Sequence, residues 1–294
     1  MRFRPNVTML SALLAGTAVS ISVKGQSIAW VAGSGNWSKA ANWESMNIPN
    51  TDSETAVLDG SASYTVSADA SFTINSLQIS STFSLLHILN NTSLSLTSGN
   101  LTNNGMITVN PSAGANSTYL QMMANGTLGG TGTVVLNAFP ASLGTAQLYH
   151  APGATSTTIG AGQTVRGVGQ LSNGTFVNQG AIRADVSGST LQAASCTLSG
   201  PGQFLADNGG VFAFNGATLS GITLTGANGG FFEVVGNSNA SSVTLNGSLE
   251  INNNTSLSAT NGNLTNNGTI TVNPSAGANS TYLQMMANGT LGGT

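Results

Sequence analysis

The chain has 294 residues, 40% of them hydrophobic and only 5% charged, with 38 glycines and a formal net charge of −3. That balance excludes the high-charge, low-hydrophobicity class of disordered chains. Six Lys and Arg against nine Asp and Glu exclude the basic footprint of a nucleic-acid binder.

Residues 1–25 have the form of an export signal. Arg2 and Arg4 precede an apolar stretch from Met9 to Val23, and Val23-Lys24-Gly25 offers small residues at a cleavage site. An uncleaved anchor is the rival reading, although the run is short and interrupted by Ser and Thr. Removal leaves Lys39, Arg166 and Arg183 against nine acidic residues, 3 − 9, or a net charge of about −6. No polybasic cluster remains to hold an anionic lipid surface.

Residues 26–80 differ in character from the rest of the chain. They contain Trp30, Trp37 and Trp43, all its tryptophans, and five acids: Glu44, Asp52, Glu54, Asp59 and Asp69. A stack of coils must cover its first rung, so a bulky, atypical capping segment is expected here. The alternative is that the three indoles contact a glycan. The acids lack the spacing of known Ca²⁺ loops and are expected to be solvated. The run Trp30-Val-Ala-Gly33-Ser-Gly35-Asn-Trp37-Ser38, with Ala41-Asn42-Trp43 and Pro49, resembles the opening of bacterial autotransporter passengers and related surface-anchored β-strand repeat proteins. So does the later stretch from Gly162 to Ile182, with Gly167-Val-Gly169 and Asn178-Gln179-Gly180. The resemblance implies a right-handed parallel β-helix displayed at the cell surface in a structural or adhesive role.

Residues 81–294 are expected to form the β-helix. Thr92 to Thr131 returns 163 positions later as Thr255 to Thr294, changed only at Leu96/Ala259, Ser98/Asn261 and Met106/Thr269. Within it and just before its second copy, Asn-Gly followed by alternating apolar residues recurs at Asn104, Asn246 and Asn267, with truncated forms at Asn125 and Asn288, in steps of 21 (125 − 104, 267 − 246, 288 − 267). Asn-Gly turns the chain, and the alternation marks a strand with one buried face. One coil per 21 residues gives roughly ten coils and, at about 4.8 Å per rung, a rod on the order of 50 Å long. Val134–Leu136, Val211–Phe214 and Phe231–Val235 fit strands. Arg183 and Glu250 fall on equivalent outward slots, and Asn103, Asn104, Asn266 and Asn267 are candidates for amide ladders at the turns. Tyr119 to Met123, and its copy Tyr282 to Met286, offer a Met-rich contact surface, but alternation buries half of each and core filling is the default. The second copy stops before the strand that comes after the first, which leads to the expectation of an N-terminal piece of a longer protein, attached to a membrane only through its missing part.

No constellation identifies a reaction. The histidines are His87 and His150; a Ser-His-Asp triad has little to build on, and His87 fits a core-edge slot. A lyase would use Arg183 as base with nearby acids such as Asp185, Asp207 and Glu233, yet too few carboxylates converge for a metal-assisted site. Cys196, the single cysteine, is expected to be a small buried residue, and Gly129-Gly130-Thr131-Gly132 a turn and not a phosphate loop. The sequence therefore points to a non-enzymatic, exported, all-β right-handed parallel β-helix with no cofactor and no metal. Its expected partners are a surface polysaccharide or proteins of a host or neighbouring cell. The alternative is a carbohydrate-active β-helix that binds or cleaves a polysaccharide.

Overall fold

The computed structural model describes residues 25–153, 156–260, 263–286 and 289–294; the export signal expected over residues 1–25 lies almost wholly outside them. The chain winds as a β-solenoid of about ten turns. Every strand-to-strand ladder between coils is parallel, and each coil contributes a strand to each of three faces.

Face one contains 93–96 of the long strand Ser93–Asn103, then Tyr119–Met122, Gln147–His150, 169–172, Thr190–Ala194, Val211–Asn215, Phe231–Val234, Ser248–Ile251 and Thr269–Val272. Face two comes next in each coil and includes Gly126–Gly129, Ser156–Ile159, Thr175–Asn178 and Thr197–Ser199. Face three includes Ser84–Ile88, Met106–Val109, Thr133–Asn137, Ala181–Ala184 and Gln203–Ala206. Strand alternation sends every second side chain inward, as Tyr64–Ala68 shows with inward Tyr64, Val66 and Ala68 buried.

Stacking in register aligns like residues into an interior column. On face three it runs Val66, Leu86, Ile107, Val134, Val165, Ile182, Phe204, Leu224 and Leu245, none more than 1% exposed. Face one adds Phe212, Phe214 and Phe232, with Phe214 and Phe232 stacked at 6.1 Å. The backbone N–H and C=O groups of each coil are taken up by its neighbours, so the core stays apolar along the axis.

Coil length is not constant. Successive register partners on face one lie 28 residues apart from Tyr119 to Gln147 but 17 apart from Glu233 to Glu250. The coils from Ser93 to Tyr119 and from Tyr119 to Gln147 carry loops at residues 110–118 and 138–146, between faces three and one. The 21-residue step is one full coil between Asn246 and Asn267, where Asn267 Nδ2 donates to Asn246 Oδ1 at 2.9 Å, a rung of the expected amide ladder. It is not one coil between Asn104 and Asn125. The neighbour of Asn104 one coil on is Thr131, 27 residues away, whose N–H donates to Asn104 Oδ1 at 3.0 Å.

The two near-identical segments occupy different faces. In the first copy 93–96 and Tyr119–Met122 lie on face one and Met106–Val109 on face three; in the second, Ser256–Ala259 and Tyr282–Met285 lie on face two and Thr269–Val272 on face one. The same sequence is thus advanced by one face, yet it folds the same way locally. Asn110 grips the loop through Gly114 N–H at 2.9 Å and Gly114 O at 2.8 Å, and Asn273 does the same with Gly277 at 3.0 and 2.8 Å. Asn110 and Ala113 take left-handed φ of 62° and 49°, matched by 56° and 50° at Asn273 and Ala276. The coil-to-coil contact travels too: Asn90 Oδ1 receives Asn116 N–H at 3.0 Å, and Asn253 Oδ1 receives Asn279 N–H at 3.1 Å.

The ladder begins at Gln26, because Gln26–Ala29 pairs with Glu54–Leu58, which pairs with Phe72–Ile79. The boundary expected near residue 80 therefore falls within continuous solenoid, and the irregular cap is confined to the stretch from Trp30 to about Ser53. At the other end, Val272, Tyr282 and Leu291 are 43%, 50% and 54% exposed.

Candidate functional site

Trp30, Trp37 and Trp43 are 4%, 0% and 1% exposed. Trp43 meets Trp30 and Trp37 edge-on with ring centres at 4.9 and 4.6 Å, and Trp37 stacks on Phe72 at 5.4 Å. Each indole N–H donates to a backbone carbonyl: Trp30 to Gly33 at 2.8 Å, Trp37 to Pro49 at 3.1 Å and Trp43 to Trp37 at 2.7 Å. The glycan-contact alternative for these residues is thereby corrected. A ring with both faces packed and its N–H satisfied has nothing to offer a sugar, and the three indoles plug the first coil.

Two of the acids in this region are structural. Glu54 is buried and accepts hydrogen bonds from Asn47 Nδ2, Asn50 N–H and Thr51 N–H at 2.9, 2.8 and 3.0 Å. Burial pushes its carboxyl up, but the donors from Asn50, Asn47 and Thr51 outweigh that and hold it below its ordinary range. Asp69 ties the cap to the rod by accepting from Ser38 N–H and Oγ at 3.0 and 2.6 Å, and these bonds likewise overcome burial to hold it low. Among the described residues no three His, Cys, Asp or Glu side chains converge as a metal site would require.

The body's two arginines form one network on face three. Arg166 and Arg183 are register neighbours, so two like charges sit one rung apart. Asp185, just past the end of Ala181–Ala184, bridges them, with Oδ2 at 2.9 Å from Arg166 Nε and 3.8 Å from Arg183 Nε. Arg183 Nη2 also reaches Asp207 Oδ2 at 3.1 Å. Asp207 accepts from Asn228 Nδ2 and Asn208 N–H, each at 2.8 Å, and these bonds, aided by Arg183, hold its carboxyl below its ordinary range. Arg183 points outward, as its strand slot predicts, but both of its sides are held by carboxylates. Glu233 and Glu250 are stacked on face one, apart from this network, and Glu233 is occupied by Asn252 at 2.5 Å.

The histidines are separated. His87 is half-buried on the outer side of face three between Ser67 and Thr108, and burial lowers its pKa. His150 is 0% exposed. Its Nε2 meets Thr157 Oγ1 at 2.7 Å and its ring stacks on Phe176 at 4.5 Å, while Nδ1 has no hydrogen-bond partner among the described residues. Burial pushes its pKa down to about 4. Gly174 runs against the imidazole with φ of 56°, and a methyl group there would strike Nδ1. Cys196 is buried, and burial raises its thiol to about 12, so it is an inert core residue as its sequence context predicts.

One surface strip was not legible in the sequence. On face one, outward residues stack in two parallel columns: Ser93, Tyr119, Gln147, Gln170 and Gln192 in one, and Ser95, Gln121, Tyr149 and Ser172 in the other. The Tyr119 and Tyr149 rings lie 5.4 Å apart and are partly exposed. Side-chain bonds knit the amides together: Gln170 Nε2 donates to Gln192 Oε1 at 2.7 Å, Ser172 Oγ to Gln147 Oε1 at 2.8 Å and Ser95 Oγ to Gln121 Oε1 at 3.1 Å. The loop at 138–146 rises beside the strip, with Gly144 O accepting from Gln147 Nε2 at 2.7 Å. It is braced to the 110–118 loop by Thr118 N–H on Thr145 O at 3.1 Å. On the face-three side of the same loop a cleft of about 450 Å³ is lined by Pro140, Leu143, Val168 and Val186. Alternation alone would mark Tyr119 and Tyr149 as outward. Their pairing depends on a 28-residue coil that no 21-residue period foretells.

No protein-family model, curated protein or solved structure matches this chain, so no family assignment accompanies the fold.

Proposed function

We propose that this chain is an exported, non-enzymatic β-solenoid that serves as a structural or adhesive segment at the cell surface, in the manner of the autotransporter passengers its N-terminal motifs resemble. The observation that carries this reading is the occupancy of its ionisable groups. Arg183, the residue a lyase would need as base, is bound by Asp185 and Asp207, and His150 is enclosed in the core. The outer surface of face two supports the same reading: Thr175, Thr197, Thr218, Asn239 and Ser258 stack in register without a charge among them. Recognition on such a surface draws its strength from many weak, repeated polar contacts. No helix of the described residues is long and apolar enough to cross a membrane.

The test is expression of the full chain in a bacterial host, then fractionation, N-terminal sequencing of the exported product and an adhesion assay on coated surfaces. A product beginning near Gln26 that confers adhesion is expected. Retention in the cytoplasm with an intact N terminus overturns the export reading. Depolymerisation of a polysaccharide that is lost in Arg183→Lys overturns the non-enzymatic one.

A further inference from the structure

Most outward positions of the rod carry Ser, Thr, Asn or Ala, which are short and readily satisfied by neighbouring coils or water. The strip from Tyr119 to Gln192 on face one differs in three respects. It holds two aromatic rings on adjacent coils, 5.4 Å apart, both on half-buried residues. It also presents unused hydrogen-bonding groups: among the described residues, the Tyr119 and Tyr149 hydroxyls, the Nε2 atoms of Gln121 and Gln192 and Oε1 of Gln170 have no partner. Gln192 is nonetheless only 7% exposed, so its free amide N–H group is aimed from an almost covered position. Finally, the strip is flanked on one side by the braced 138–146 loop, which fixes the Gln147 amide.

We propose that this strip binds an uncharged, extended polysaccharide lying along the solenoid axis. The inference rests on the adhesive reading above and supplies its ligand class. Tyrosine faces suit the C–H surface of a sugar ring, and amide donors and acceptors suit its hydroxyls. The rungs repeat at about 4.8 Å, comparable to the advance of one sugar along an extended chain, so successive sugars meet successive rungs. Charge selects the neutral class. The basic residues of the body are committed to Asp185 and Asp207 on another face, whereas Glu233 and Glu250 continue the Tyr119–Gln192 column farther along the rod. A polyanion would find no free cation on the strip and would meet two carboxylates.

The near-verbatim repeat supplies an internal control. Tyr282 has the same local sequence as Tyr119 but lies on face two, with Ser256 as its register neighbour and no second tyrosine beside it. The experiment is affinity electrophoresis and calorimetry of the full chain against a neutral glucan, a neutral mannan and polygalacturonate. The variants are Tyr119→Ala, Tyr149→Ala, Tyr149→Phe and Tyr282→Ala, each checked for an unchanged melting temperature. The expected result is binding to a neutral polymer, weakened about fivefold or more by either Tyr119→Ala or Tyr149→Ala, less by Tyr149→Phe and not at all by Tyr282→Ala. Binding to polygalacturonate alone, no binding to either neutral polymer, or equal losses at Tyr282 and Tyr119 overturns the proposal. Adhesion that persists without any glycan binding removes this ligand while leaving the adhesive reading intact; loss of both removes the two together.

Discussion

Acidification should loosen the middle of this rod through His150. The imidazole is 0% exposed and faces Phe176, Thr157, Gly174 and its register partner Met122, with no charged side chain among them. Its folded pKa is about 4 against an ordinary 6.5, so the unfolded chain binds the proton more readily. Stability from the neutral ring is therefore fully present above about pH 6.5, falls as pH drops and is lost below about pH 4. The gap corresponds to roughly 3 kcal/mol at most. Because each coil interacts chiefly with its neighbours, the effect should be local. Hydrogen exchange, corrected for its intrinsic pH dependence, should show amides in 147–150 and 175–178 losing about 2–3 kcal/mol of protection between pH 7 and 4.5. In His150→Leu that pH slope should vanish, whatever the variant's absolute stability. Glu54 and Asp69 titrate in both proteins and cancel in the difference. Parallel slopes for wild type and variant would refute the reasoning, since they would mean that the ring is hydrated or partnered in solution.

Other outcomes rest on the packing. Trp43→Ala removes an indole that is 1% exposed and braces two others, and should cost about 3–5 kcal/mol by thermal or denaturant unfolding. Gly132→Ala should destabilise by about 1–3 kcal/mol, because the added methyl would lie 2.7 Å from Asn103 Nδ2, which reaches past that coil to Gln163 Oε1 at 3.3 Å; a neutral result on the melting curve would mean the coil is slack there. Asp185→Asn leaves Arg166 and Arg183 facing each other one rung apart, and since both are partly exposed the loss should be about 1 kcal/mol or less and shrink in high salt. For Glu54, whose folded pKa is depressed, the stabilisation is present above about pH 4.5 and lost on further acidification. Glu54→Gln should flatten that limb of the acid denaturation curve.

Much of this fold is local and could be read from the chain. Period-two alternation places Val66, Ile107 and Phe204 inside and Arg183 and Glu250 outside, and the structure agrees. Turn chemistry is local as well: Asn110 and Asn273 close identical loops although they stand at different corners of the rod. Cap packing of the tryptophans was one of two readings open to the sequence, and the choice came from the rings meeting one another and Phe72.

What only tertiary structure decided is which residue lies one coil away. That distance is 17 to 31 residues and depends on how far each loop departs from the coil path. A strand's own sequence does not record this, so the repeat could be laid on either of two faces. The same blindness hid the Tyr119–Tyr149 pair, the enclosure of His150 by Phe176 and the bridging of two arginines by Asp185. Alternation and turns are fixed by steric preferences of neighbouring residues, whereas the columns that give each face its chemistry are fixed by the summed lengths of the loops between them.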